Sequence, residues 1–196
     1  MGRALSKRHL RVIGLDDGPF TRRHRYAEVV AVAMSVPGTV EGISATRVRV
    51  DGTDATERIA SLLSDSPYLA GTRAVLVDGI TVAGFNVLDL ERIGEVLGKP
   101  VISVTRRAPD LPAIRSAIWK YFPDDARRRW GLIQARRLFP LSIEGSRRWV
   151  AVVGGTRAQA VELLRRTTLV GAWPEPLRLA HLLARAMRGG RPRAHV

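Results

Sequence analysis

RVIGLD at residues 11–16 and RAVLVD at 73–78 are the two stretches on which the architecture turns. The first reads as a short strand closing on a carboxylate. The second is nearly all apolar, as a strand buried on both faces of a sheet must be. Two more strand-like runs lie between them. Residues 27–36 are a longer apolar, β-branched segment, and Pro37-Gly38 begins a turn. Residues 43–51 (ISATRVRVD) carry Ile43, Ala45, Val48 and Val50 among arginines, the pattern of a half-exposed strand. The links between these three strands are too short for crossover helices, so they form an antiparallel meander.

Beyond residue 53 the period changes. Residues 54–63 (DATERIASLL) have helical spacing at Ile59, Leu62 and Leu63. Residues 87–97 predict a second helix with Leu88, Ile93, Val96 and Leu97 inward, closed by Gly98. A fifth strand follows at 100–104. Helices are expected at 113–122 and 126–139, broken by Pro123, then an apolar strand at 149–153, then helices at 157–169 and 176–187. This order predicts an α/β fold: a mixed sheet in the order 3-2-1-4-5, strands 1 and 4 parallel neighbours, helices on both faces. One domain is expected over 1–188, with a basic, mobile tail at 189–196.

The 196 residues are 45% hydrophobic and 26% charged, which excludes wholesale disorder. No apolar run approaches the roughly 18 residues that span a bilayer, and no membrane partner is expected. The opening MGRALSKRHL lacks the apolar stretch of a secretory signal. With 0 cysteines, a disulfide scaffold and thiolate zinc sites are excluded, and a cytoplasmic location is expected. The net charge is +14, and almost all of the excess lies in residues 101–196. A basic surface of this size points to a polyanion, DNA or RNA. Arginine predominates over lysine and suits bidentate phosphate contact. Arg106, Arg107, Arg128, Arg129, Arg136 and Arg147 are the candidate nucleic-acid contacts.

Three strands end in Asp-Gly or Asp-Asp-Gly, at 16–18, 51–52 and 78–79. Such pairs make strand-end turns. If strands 1 and 4 are parallel neighbours, however, Asp16 and Asp78 sit side by side at the carboxyl edge, where open α/β sheets place their sites. Adjacent carboxylates repel unless they share a proton or a cation. Oxygen donors without cysteine favour Mg²⁺ or Mn²⁺. Asp54 and Glu57 open the first helix at the same edge, either as a capping box or as further ligands. Asp17 is a neighbouring candidate ligand, and Asp51 and His181 are further candidates. The loop beside Asp78, with Gly79, Ile80, Gly84, Phe85 and Asn86, is the candidate lining of a base pocket. Gly154-Gly155-Thr156 reads as a tight turn with a threonine cap or as a phosphate-binding turn.

GLDDGPF (14–20), VDGTDATERI (50–59), VDGITVAGFNVLDL (77–90), PVISVTRR (100–107) and PEPLRLAHLLARA (174–186) resemble a family of small archaeal proteins, endonuclease dU, for deoxyuridine. The resemblance covers nearly the whole chain. It implies a ribonuclease H-like fold close to endonuclease V, and a metal-dependent endonuclease hydrolysing DNA at deoxyuridine in repair. It also implies that the acid ending strand 1 falls on Asp16 or Asp17, the first-helix acid on Glu57 or Asp54, and the strand-4 acid on Asp78. The lesion-wedge motif of endonuclease V is not present in full, and 66–71 (SPYLAG) is only partly similar to it.

The leading expectation is therefore a Mg²⁺- or Mn²⁺-dependent endodeoxyribonuclease with Asp16, Glu57 and Asp78 as its catalytic acids. A non-catalytic nucleic-acid-binding protein on the same fold is the alternative, with the carboxylates serving as turns and caps. An enzyme acting on a small phosphorylated molecule is a third.

Overall fold

The computed structural model describes residues 10–21 and 23–187; the expected tail at 189–196 lies outside the described residues. Three strands, β1 (Leu10–Asp17), β2 (Tyr26–Val36) and β3 (Thr39–Arg49), form the antiparallel meander. Helix α1 (Ala55–Ser64) then crosses to β4 (Thr72–Asp78), which pairs parallel with β1. A small hairpin, β5 (Thr81–Val82) and β6 (Asn86–Val87), leads into α2 (Leu90–Leu97) and β7 (Val101–Thr105), parallel to β4. Helices α3 (Leu111–Tyr121) and α4 (Ala126–Gln134) precede the hairpin of β8 (Phe139–Ile143) and β9 (Ser146–Val153). Helices α5 (Arg157–Thr167) and α6 (Glu175–Met187) follow.

The sheet has seven strands in the order β3-β2-β1-β4-β7-β9-β8. The expected core order is present, and β9 and β8 extend it antiparallel beyond β7. β8 corrects the expected helix over 126–139. That helix ends at Gln134, and Phe139, Leu141 and Ile143 instead alternate inward along a strand. The connection to β9 is a two-residue turn in which Glu144 and Gly145 both have positive φ (46° and 73°), the geometry that matches the twist of paired strands. The helix expected from 87 begins only at Leu90, because Asp89 caps it by accepting a hydrogen bond from Arg92 N at 2.9 Å.

Residue parity assigns the faces. Ile13 and Leu15 of β1 and Val75 and Val77 of β4 pack with α1 and α2. Val12, Leu76, Ile102, Val104 and Val150 pack on the opposite face with Ala160 and Leu164 of α5 and Leu177 of α6. Helix α6 also covers Val30 and Val32 of β2. This close seat requires glycine on β1. A Cβ at Gly14 would lie 2.4 Å from the carbonyl carbon of Pro176, and one at Gly18 would lie 2.7 Å from the Ala184 oxygen. Gly14→Val should therefore push α6 off β1. Overpacking of this kind costs about 1–3 kcal/mol, so we expect a clearly lowered melting temperature by circular dichroism. An unchanged melting curve would contradict the backbone contact.

Candidate active site at the carboxyl edge of the sheet

β1 and β4 run in parallel with Leu15 opposite Val77, so Asp16 and Asp78 follow as neighbours at the carboxyl edge. Both have the parity of the α5/α6 face, whereas Asp17 has that of the α1/α2 face. Asp16 is 6% exposed. Its Oδ1 accepts from the Asp17 backbone N–H at 2.8 Å, and its Oδ2 lies 2.8 Å from His181 Nδ1 on α6. Asp17 Oδ2 accepts from Ala83 N at 2.7 Å, which ties the β5–β6 hairpin to the end of β1. Asp16, Asp17, Asp78, His181 and Arg185 line one cavity of about 380 Å³.

Negative charge is crowded here. Burial, then repulsion from Asp16, raises the Asp78 pKa to about 7, against the opposing pull of Arg106 and His181. Burial and Asp16 likewise raise Asp17 to about 6. The hydrogen bond to Asp16 raises His181, against burial and the charge of Arg185. Arg106 Nη1 stands 3.9 Å from Asp78 Oδ2. Arg185 carries a buried Nε without an acceptor among the described residues. Among the described residues, no group of three or more His, Asp or Glu side chains is disposed to hold a metal ion. The donor chemistry nevertheless fits a hard divalent cation, because carboxylate oxygens on two adjoining strand ends are crowded enough that Asp17 and Asp78 stay raised in spite of Arg106 and His181.

The other candidates fall elsewhere. Glu57 is not brought into the cavity: its side chain is 67% exposed and pairs with Arg92 at 3.3 Å. Asp54 precedes α1 without making a side-chain cap, so the capping box with Glu57 is not formed. The cap comes from Asn86, which is fully buried; its Oδ1 accepts from Ala55 N, and its Nδ2 donates to Arg49 O and Asp54 Oδ1. Asp51, with φ of 55°, accepts from Phe85 N through Oδ1. Gly84 lies so close that a Cβ there would be 2.3 Å from the same oxygen. Gly79 follows Asp78 directly, and its carbonyl accepts from Ser103 Oγ at 2.7 Å. Ile80, Phe85 and Asn86 thus belong to the packed underside of the hairpin.

The arginines divide by exposure. Arg107, Arg128 and Arg147 are exposed, and Arg106 is exposed beside Asp78. Arg129 corrects the expectation of a nucleic-acid contact. It is 3% exposed, pairs with Asp125, donates to the carbonyls of Asp51 and Phe85 and stacks on Phe122. It therefore pins the β5–β6 hairpin to the turn before α1. Arg136 is also largely withdrawn from water, which lowers its pKa to about 10, and it faces a cavity between α3 and α4. Residues 66–71 connect α1 to β4 at the amino edge of the sheet, away from the carboxylates. Sequence reading missed Arg185. The available signal was its helical spacing, four residues beyond His181 on α6.

A mixed sheet whose parallel neighbours β1 and β4 each end in an aspartate, with helices on both faces, defines the class: this is a ribonuclease H-like fold, built as in endonuclease V. The crystal structure of Ciona intestinalis endonuclease V, in complex with DNA containing an inosine followed by a ribo-adenosine, superposes with a TM-score of 0.62 at 15% identity, covering 94% of this chain and 88% of that one. Residues 8–188 match the family described as endonuclease dU, and the chain belongs to that family. A UPF0215 protein of Thermococcus gammatolerans is 38% identical over 188 residues, 94% of this chain and 95% of the relative. A protein of unknown function from Archaeoglobus fulgidus, known from its crystal structure, is 29% identical with a TM-score of 0.82, covering 91% of this chain and 98% of that one.

Proposed function

We propose that the protein is a divalent-metal-dependent endonuclease that hydrolyses DNA phosphodiester bonds, with deoxyuridine as its lesion. The observation that carries this reading is the neighbouring pair Asp16 and Asp78 at the ends of adjacent parallel strands, where burial and then repulsion from Asp16 hold Asp78 at about pKa 7. These two carboxylates would hold Mg²⁺ or Mn²⁺, with Asp17 supporting them through the hairpin it anchors. A cation bound there supplies an activated water and charge stabilisation at the leaving oxygen. His181 orients Asp16 through the contact of its Nδ1 with Oδ2. Arg106 and Arg185 offset phosphate charge on either side of the carboxylates. Endonuclease V crystallised with inosine-containing DNA supports a nucleic-acid substrate for this fold.

The exposure of Glu57 and its pairing with Arg92 favour the second reading, a nucleic-acid-binding protein without catalysis. Incubation with uracil-containing and undamaged DNA, with Mg²⁺, with Mn²⁺ and with chelator, separates the two. The nuclease reading expects metal-dependent cuts, enriched at uracil. Tight, strongly salt-dependent DNA binding without any cleavage would establish the binding protein instead.

A further inference from the structure

The parity that carries Asp16 and Asp78 to the α5/α6 face continues across the sheet. Val104 of β7 pairs with Val150 of β9, and Thr105 with Trp149. Extending the register by one residue sets Arg106 opposite Arg148, on the side of Val104 and Val150 and hence of Asp78. The carboxyl edge of this face thus bears a row across four adjacent strands: Asp16, Asp78, Arg106, Arg148. Of the arginine pair at 147 and 148, only Arg148 has the parity of this face.

Like charges directly opposed across strands are unfavourable without an intervening partner. Both guanidinium groups gather over one indole, Arg106 at 4.2 Å and Arg148 at 5.6 Å from the Trp173 ring centre. Arg148 is positioned by donating from Nε to Ala172 O at 2.8 Å and from Nη1 to Arg147 O at 3.0 Å. Burial and the charge of Arg106 lower its pKa. Among the described residues, neither arginine has a carboxylate closer than Asp78 at 3.9 Å from Arg106. Trp173 itself is 6% exposed, a fixed platform whose Nε1 is buried with no acceptor among the described residues. Two clustered cations therefore offer a site for one anion, two to three strand spacings, roughly 10–14 Å, along the edge from Asp16.

We propose that Arg106 and Arg148, on the platform of Trp173, form a station for a single backbone phosphate of the nucleic-acid strand, adjacent to the phosphodiester bound at Asp16 and Asp78. The proposal rests on the nuclease reading and deepens it. The station sets the path of the strand, running from the carboxylates toward β9. The two guanidiniums share one ligand, so each loses much of its effect when the other is absent.

The test is fluorescence anisotropy with a labelled uracil-containing DNA duplex and chelator present, over a range of salt, on folded full-length variants. Arg148→Gln should weaken binding by about tenfold and make the slope of log K against log salt shallower by about one. Arg148→Lys should restore the slope, since it restores the charge, whereas a role confined to holding Ala172 would not depend on charge. Arg106→Gln keeps the proposal testable should Arg148→Gln fold poorly, and the double variant should lose less than the product of the two single losses. Arg73→Gln, at the opposite edge of the sheet, should leave the slope unchanged. Wild-type affinity and slope in both single glutamine variants would overturn the station while leaving the nuclease reading intact. Absence of salt-dependent DNA binding in the wild type would overturn both.

Discussion

Asp78→Asn should abolish cleavage, with a loss of several orders of magnitude, while leaving the fold and the DNA complex in place. The substitution conserves size and removes one charge from the crowded carboxylate pair. If Asp78 is a metal ligand, the loss is large because the cation supplies both the attacking water and the charge stabilisation. Affinity for DNA in chelator should hold level or rise, because a carboxylate facing phosphates is repulsive. The structural alternative makes the opposite forecast. Asn serves as well as Asp in a strand-end turn, and the turn here is already closed by Gly79, with φ of 79° and its carbonyl bound by Ser103. Full activity in a folded Asp78→Asn protein would remove Asp78 from the site. Calorimetry with Mn²⁺ gives an independent reading, since binding seen in the wild type should disappear in the variant.

The second large effect is on stability. Metal-free protein should be most stable in mild acid and lose stability as the pH rises through about 7. Folding raises the Asp78 pKa from 3.8 to about 7 and that of Asp17 from 3.8 to about 6, so the native state binds these protons more tightly than the unfolded chain. Stability held in that way is fully present below pH 3.8 and is lost as each folded-state pKa is passed. His181, also raised, acts in the same direction. Each tenfold gain in proton affinity is worth about 1.4 kcal/mol, so the shift at Asp78 is worth roughly 4 kcal/mol in full, of which about 3 kcal/mol separates pH 5 from pH 8. In a chain of this size that corresponds to about 10 °C in melting temperature. Melting scans in chelator at pH 5 and pH 8 should show the difference, Asp78→Asn should flatten it, and millimolar Mg²⁺ or Mn²⁺ should narrow it by stabilising the ionised native state. Equal melting temperatures at the two pH values would mean that the carboxylates are not crowded.

The strands that place the site were legible in the sequence because buried strands have a plain signature. RVIGLD and RAVLVD are unbroken apolar runs ending in a polar residue, and their order relative to the short-linked meander leaves few topologies. β8 was not legible, since the Arg-rich stretch before Phe139 continues the composition of α4 and only the alternation of Phe139, Leu141 and Ile143 departs from it. The burial of Arg129 was hidden for a related reason. Nothing local distinguishes it from the exposed Arg127 and Arg128, and its partners Asp51 and Phe85 lie 78 and 44 residues away.

The sequence by itself determined the residue types, the strand ends at Asp16 and Asp78, the alternation that separates neighbouring side chains, and the concentration of positive charge in the second half. Tertiary structure alone decided what each member of a pair meets. It set Asp16 rather than Asp17 toward α6, brought His181 across 165 residues to meet it, left Glu57 with Arg92, and turned Arg148 rather than Arg147 toward Trp173. The physical reason is that a strand's period of two divides its residues into two faces but does not say which face a helix will cover. That choice was made by packing, through glycines at 14 and 18 that let α6 lie against β1, and it is there that the chemistry of the site was assembled.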